Sequence, residues 1–196
     1  MSDSSPPYVR SVDLMSRDDS RLLIVDMQEK LLPLIGSSPH VIQNCISLVK
    51  AARVLGPPVF ATEQYPRGLG GTVAELNELL DDVPDKFRFS CAEVLDWGTV
   101  STCEHRQVVV AGIEAHVCVL QTTFDLLAAG FQVFVPADAV GSRSKLDWQI
   151  GLDRMAGAGA VITTTESVMF EWCERSDTPE FKQISQIVKE RQILEV

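Results

Sequence analysis

Hydrophobic and polar positions along the chain fall into two alternating rhythms. Short, near-continuously apolar runs rich in Val, Ile and Leu give way to stretches where apolar residues return every three or four positions. Runs of the first kind predict strands buried on both faces, and the second rhythm predicts amphipathic helices. Arg21–Asp26 (RLLIVD) predicts the first strand, and the series Val41, Cys45, Leu48, Ala52 and Leu55 predicts a helix that Gly56-Pro57-Pro58 ends. Val59–Glu63 (VFATE) predicts the second strand. The stretch Tyr65–Gly71 reads as a flexible loop, followed by a helix over Val73–Leu80.

Further along, Phe87–Ser90 predicts a short strand and Ala92–Val100 a helix. Gln107–Gly112 (QVVVAG) is the clearest strand, and Val117–Ala129 a helix capped by Gly130. Gln132–Pro136 and Ala160–Thr164 predict two more strands around a helix at Leu146–Ala156. Thr178-Pro179 opens a last helix that runs to about Lys189. Strands alternating with helices specify βαβ units and a parallel sheet. The expected fold is therefore α/β: a three-layer α/β/α sandwich around a mainly parallel sheet of about six strands.

No repeat, low-complexity run or linker divides the chain, so one domain is expected over 19–190. A polar leader (1–18) precedes it and a short tail (191–196) follows. The opening Met1-Ser2-Asp3-Ser4-Ser5-Pro6-Pro7 has no apolar stretch of the signal-peptide kind and reads as a loose leader. A hydrophobic share of 45% is that of a globular domain and argues against disorder. The formal charge of -10, from 17 basic and 27 acidic residues, gives no electrostatic footprint for nucleic acid and disfavours anionic membranes. Five scattered cysteines, odd in number and never in a C-x-x-C pair, point to free thiols in a reducing, cytoplasmic setting. No His/Cys pairs recur at zinc-ligand spacing, and no cofactor motif stands out.

In open parallel sheets ligands bind outside the carboxyl ends of the strands, so the polar residues at those ends carry the chemistry. Asp26 ends the first strand, directly after Leu-Leu-Ile-Val. A partly desolvated carboxylate there suits a general base, and it equally suits a cap for the next turn. Cys118 lies in G-I-E-A-H-V-C, six residues past Gly112 at the expected start of a helix. The free amides of a helix start favour a thiolate and lower the thiol's pKa. Cys45 and Cys173 read instead as small core side chains. His116 is the nearest base, but two residues along a helix the two side chains point to nearly opposite sides. His116 reads as a residue of the site mouth.

Together these segments resemble the isochorismatase-like (cysteine) hydrolase superfamily. The resemblance runs from about Leu22 to Lys189 on five motifs: L-L-I-V-D-M-Q at 22–28, T-E-Q-Y-P at 62–66, D-K-F at 85–87, G-I-E-A-H-V-C-V-L-Q-T at 112–122 and V-P-A-D-A-V-G-S-R at 135–143. The wording is nearest to the isochorismatase domain-containing proteins. The resemblance implies a triad of Asp26, Lys86 and Cys118, in which Lys86 would otherwise pass for a solvated loop lysine. It further implies a cis peptide near Ile113–Glu114, oxyanion-holding amides around Glu114 and Cys118, and a homo-oligomer, to which the apolar residues Phe181, Ile184, Ile187 and Val188 could contribute. Gln28, Glu63, Gln64, Tyr65 and His116 are the candidates for touching a small-molecule substrate.

One departure narrows the expectation. Nicotinamidases of the superfamily carry an Asp-x-His-type metal site after the second strand. This chain has Glu63-Gln64-Tyr65-Pro66-Arg67 there and no histidine between His40 and His105. The expected activity is metal-free hydrolysis of a small amide or related C–N bond through a thioester on Cys118. Cleavage of an isochorismate-like vinyl ether and a non-catalytic binding role are the alternatives. A phosphate- or metal-binding doubly wound protein is disfavoured, because no Gly-rich turn follows the first strand.

Overall fold

A computed structural model describes residues 8–191. Leu22 to Val25 are completely or almost completely buried, and with Ser20 and Arg21 they form β1 (Ser20–Val25) at the middle of the sheet. Helix α1 (Ser38–Leu55) follows, ended by Gly56 in the left-handed conformation that a glycine adopts without strain. Next come β2 (Val59–Gln64), the short helices α2 (Pro66–Leu69) and α3 (Ala74–Asn77), and the two-residue β3 (Asp85–Lys86). A short α4 (Ala92–Leu95) leads to β4 (Gln107–Ile113), buried along its whole length. Then follow α5 (Leu120–Ala128), β5 (Gln132–Pro136), β6 (Val140–Gly141), α6 (Lys145–Gly157), β7 (Val161–Thr163), α7 (Thr165–Cys173) and α8 (Pro179–Glu190).

All pairings between these strands are parallel, in the order β3-β2-β1-β4-β5-β7, with β6 beside β4. The sheet has seven strands rather than about six. One core cluster joins α1, α7 and α8 to one face of the sheet. A second joins α5 and α6 to the other face, through Leu23, Val25, Val108, Val110, Leu120, Leu126, Leu152 and Met155. The result is the expected three-layer α/β/α sandwich.

Several local expectations are corrected. Phe87–Ser90 is not a strand: the pairing with β2 falls on Asp85 and Lys86, and Phe87 and Phe89 are exposed. The helix expected over Ala92–Val100 stops at Leu95, where Asp96 turns left-handed, and that over Val73–Leu80 shrinks to Ala74–Asn77. Strand β6 (Val140–Gly141) and helix α7 (Thr165–Cys173) are elements to which the sequence pattern gave no bounds. Residues of the leader that are described are tied to the domain. Met15 is fully buried, its amide donates to Glu171, and Arg10 donates to the Met15 and Glu171 carbonyls. Met1 to Pro7 and the tail from 192 lie outside the described residues. On helix α8 Ile184 is fully buried, and Phe181, Ile187 and Val188 are partly buried against the core.

Candidate active site

The carboxyl ends of β1, β2 and β4 meet where the strand order reverses, the crevice in which such sheets hold ligands. The crossing between β1 and β4 is tight. Gly112 pairs with Val25 at φ 118°, and a Cβ there would run into the Val25 carbonyl. Immediately beyond Val25 the chain bends sharply, because Asp26 adopts a left-handed conformation (φ 51°). Only a few per cent of non-glycine residues do so, Asp more readily than most. Tyr65, just past β2, has φ 39°. Two sparsely populated backbone conformations thus flank one site, a clustering typical of functional loops.

The bend turns the Asp26 carboxylate into a fully buried polar cluster. Lys86 Nζ donates to Asp26 Oδ2 at 2.8 Å, with neither side chain exposed. The ammonium is fully partnered: it also donates to Gln64 Oε1 (2.7 Å) and to the carbonyls of Phe89 (3.0 Å) and Arg88 (3.2 Å). Thr62 Oγ1 donates to Asp26 Oδ1 at 2.9 Å. Since that hydroxyl has only one proton, the contact with Cys91 Sγ at 3.3 Å is one in which the thiol donates. Cys118 lies beside Asp26, near enough for each side chain to act on the other's proton. Asp26 therefore gathers an ammonium, a hydroxyl and a thiol.

Electrostatics follow from burial and these neighbours. Burial holds the Asp26 carboxyl above its ordinary range, and the Lys86 charge and hydrogen bonds offset only part of that. Burial works against the Lys86 ammonium too, yet Asp26, together with Cys91 and Cys118, keeps it above its usual value. The Cys118 thiol is pushed up, first by burial and then by the adjacent Asp26 charge, with Lys86 opposing. Cys91 is pushed up to about 11 for the same reasons. A Cys118 thiolate favoured by a helix start was expected; burial and the Asp26 charge instead favour the thiol. The physical reason lies partly in the backbone. Cys118 sits not in the first turn of an α-helix but in a wide π-type turn, Ala115–Val119, ahead of α5. The turn follows the Ile113–Glu114 peptide bond, which is cis.

The other candidate residues divide by geometry. The Gln64 carboxamide holds Lys86 and donates to the Phe87 carbonyl. Gln28 is fully buried and joins the loops through Gln64 and the Gly70 carbonyl, and Glu63 binds the amide and hydroxyl of Thr72. These two are engaged within the chain rather than free for a ligand. Tyr65 is half exposed beside Phe87, with ring centroids 5.9 Å apart. His116 points away, its Nδ1 3.0 Å from Ser142 Oγ, and the Glu114 side chain pairs with Arg143 at 3.0 Å. Thr62 and Cys91 are the members that the sequence reading did not single out. A threonine near the carboxyl end of a predicted strand was the available signal for Thr62. Among the described residues no cluster of three or more His, Cys, Asp or Glu is arranged to hold a metal ion.

The class is defined by the fold and its contents: a doubly wound α/β protein with a buried carboxylate, ammonium and thiol gathered at the switch point of its sheet. The isochorismatase domain model matches residues 20–167, and the chain belongs to that family. It is similar to the secreted isochorismatase effector Isc1 of Phytophthora sojae, 39% identical over 178 residues (87% of this chain, 85% of that one). To isochorismatase domain-containing protein 2 of Homo sapiens it is 40% identical over 171 residues, covering 87% of this chain and 83% of the other. Among solved structures it resembles the MAR1 ribonuclease of Caenorhabditis elegans, with 36% identity, a TM-score of 0.82, and coverage of 93% and 98% of the two chains.

Proposed function

We propose that the chain is a metal-free cysteine hydrolase that opens a small amide or related C–N bond, with Cys118 as nucleophile, Asp26 as base and Lys86 as charge partner. The observation that carries this reading is Asp26, which holds Lys86 on one oxygen and Thr62 on the other, beside the Cys118 thiol on which its charge acts. As Sγ attacks the carbonyl carbon, the thiol proton passes to Asp26 and the carbonyl electrons move to oxygen. Amides around Glu114 and Cys118 hold that oxyanion. The oxyanion collapses, the C–N bond breaks, and the proton on Asp26 leaves with the amine or ammonia. Water, deprotonated by Asp26, then opens the thioester and returns the thiol. Lys86 stays protonated throughout, because its neighbours hold its pKa high.

A small molecule suits the site better than RNA, although three similar structures bear the name ribonuclease: a net charge of -10 offers no footprint for a polyanion. Five free cysteines support a reducing, cytoplasmic setting, although one relative is named a secreted effector. No helix among the described residues is long and apolar enough to cross a membrane. A homo-oligomer is proposed as well, with exposed Leu146 and Ile150 on α6 as apolar contacts. Light scattering of a Leu146→Asp/Ile150→Asp variant checks the contact, and a smaller particle is expected.

The decisive experiment is a panel of small amides assayed for ammonia release, with rapid quench and intact-mass measurement. The expected result is release by at least one amide, with an acyl adduct that maps to Cys118. Turnover that survives Cys118→Ala would falsify the covalent route.

A further inference from the structure

Farther along the same sheet edge, β4 changes partners. Its first half pairs with β5 through Val109, and its last two residues pair with β6 instead. Between β5 and β6 the chain leaves the sheet at Ala137–Ala139, and a crevice of about 530 Å³ opens there, within the range of small-molecule sites. Cys118, Asp26 and Lys86 do not line it. The amino ends of α1 and α6 border it. Its walls are apolar: Val41, Ala137, Val140 and the Trp148 indole. That ring is fixed, because Trp148 Nε1 donates to the carbonyls of Ala137 (3.2 Å) and Val140 (3.1 Å).

The polar lining is lopsided. Lys145 and Arg143 stand on the rim, and Lys145 has no ion-pair partner among the described residues. Arg143 shares its charge with Glu114 through Nε. The one lining carboxylate, Asp138, is already satisfied by Thr165 and Arg191. His40 Nδ1 is buried without a hydrogen-bond partner. One free cation, one shared cation and a rigid aromatic wall match a single negative charge on a flat apolar body. We propose that this crevice is a second small-molecule site, separate from the Cys118 cluster, that binds a monoanionic aromatic carboxylate.

Benzoate is the probe, titrated into the intact chain by calorimetry and by tryptophan fluorescence. Trp148 is the only tryptophan lining the crevice. Saturable binding is expected, with a fluorescence change that Trp148→Phe removes. Benzamide, which lacks the charge, should bind about tenfold more weakly, as should benzoate to Lys145→Ala. Gly36→Trp is the blocking variant: Gly36 lines the crevice and a Cβ there meets nothing within 4 Å, so the new ring can fill the space without backbone strain. It should abolish binding while circular dichroism and melting stay as in the parent. Saturating benzoate should leave the rate of Cys118 alkylation by iodoacetamide unchanged. Absence of saturable binding at millimolar benzoate, binding indifferent to Gly36→Trp and Lys145→Ala, or protection of Cys118 by benzoate would each overturn the proposal, the last by moving the ligand to the catalytic cluster.

Discussion

Lys86 Nζ lies 2.8 Å from Asp26 Oδ2, and neither side chain reaches solvent. The two residues sit 60 positions apart, on β3 and just past β1, with β2 between them. Such a pair adds little net stability, since desolvating both charges offsets much of their attraction; removing one partner, however, strands the other in a buried place. Lys86→Met should therefore cost about 3–5 kcal/mol in urea unfolding. Asp26→Leu/Lys86→Met should cost clearly less than the sum of the single changes, because the partners are coupled. Additive losses would mean that the pair is not held as a unit.

The state of the Cys118 thiol separates two roles for Asp26. Its charge raises the thiol's pKa and Lys86 lowers it. Alkylation by iodoacetamide needs only thiolate, whereas amide cleavage needs a proton acceptor at the moment of attack. Asp26→Asn should thus speed Cys118 alkylation near neutral pH, and Lys86→Met should slow it, each by about tenfold per unit of pKa change. Both should remove turnover on any amide found. In the parent chain the Cys118 alkylation rate should keep climbing past pH 9 with no plateau, as followed by peptide mass mapping. A plateau near pH 7 would show a preformed thiolate and reverse the assigned roles.

Much of this was legible in the sequence, and the failures have causes. β1, β4 and β5 are buried on both faces, so their apolar runs are unbroken and their limits fall within a residue or two of those expected. Short elements depend on pairing instead. Two residues of β3 are fixed by β2, which no periodicity over Phe87–Ser90 reveals. Asp26 and Cys118 stood out because strand ends and helix starts are marked locally. Lys86 was found only through the D-K-F motif, since a lysine's partner 60 residues away leaves no local trace. The thiol's raised pKa was missed because position along a helix says nothing of burial or of the carboxylate beside it.

The close crossing of β1 and β4 gives a stability test at the floor of the site. Gly112 combines a positive φ with backbone contact to Val25, two demands that alanine cannot meet. Gly112→Ala should cost at least about 2 kcal/mol and displace the turn that carries Cys118, so Cys118 alkylation should change together with stability. Gly157, with open space around it and no positive φ, is the control; Gly157→Ala should be neutral or slightly stabilising. Equal melting temperatures for the two variants would contradict the crossing.

Alkali should unfold this chain early, and the sign can be worked out group by group. Burial raises the thiols of Cys45, Cys91 and Cys118, so the folded chain keeps protons that the unfolded chain loses above about pH 8.5. The stability linked to each is complete below that pH and drains away as the pH climbs toward the folded value, which for Cys91 is about 11. Lys86, also raised, adds a loss in the same direction above about pH 10.4. Asp26 acts in a separate window: its raised carboxyl favours the folded state most below about pH 3.9 and lowers stability as the pH rises through the folded value. Urea unfolding under reductant should therefore change little from pH 7 to 8, then lose up to about 1.4 kcal/mol per pH unit for each raised thiol. Cys45 isolates the effect, because it lies in the α1 core with its thiol toward the Ala139 carbonyl rather than beside Asp26 and Lys86. Cys45→Ala should lower stability at pH 7 through the lost packing, yet its alkaline slope should be shallower by about one proton. A parallel downward shift at every pH would show that Cys45 does not titrate with unfolding, and would assign the alkaline loss to the remaining groups.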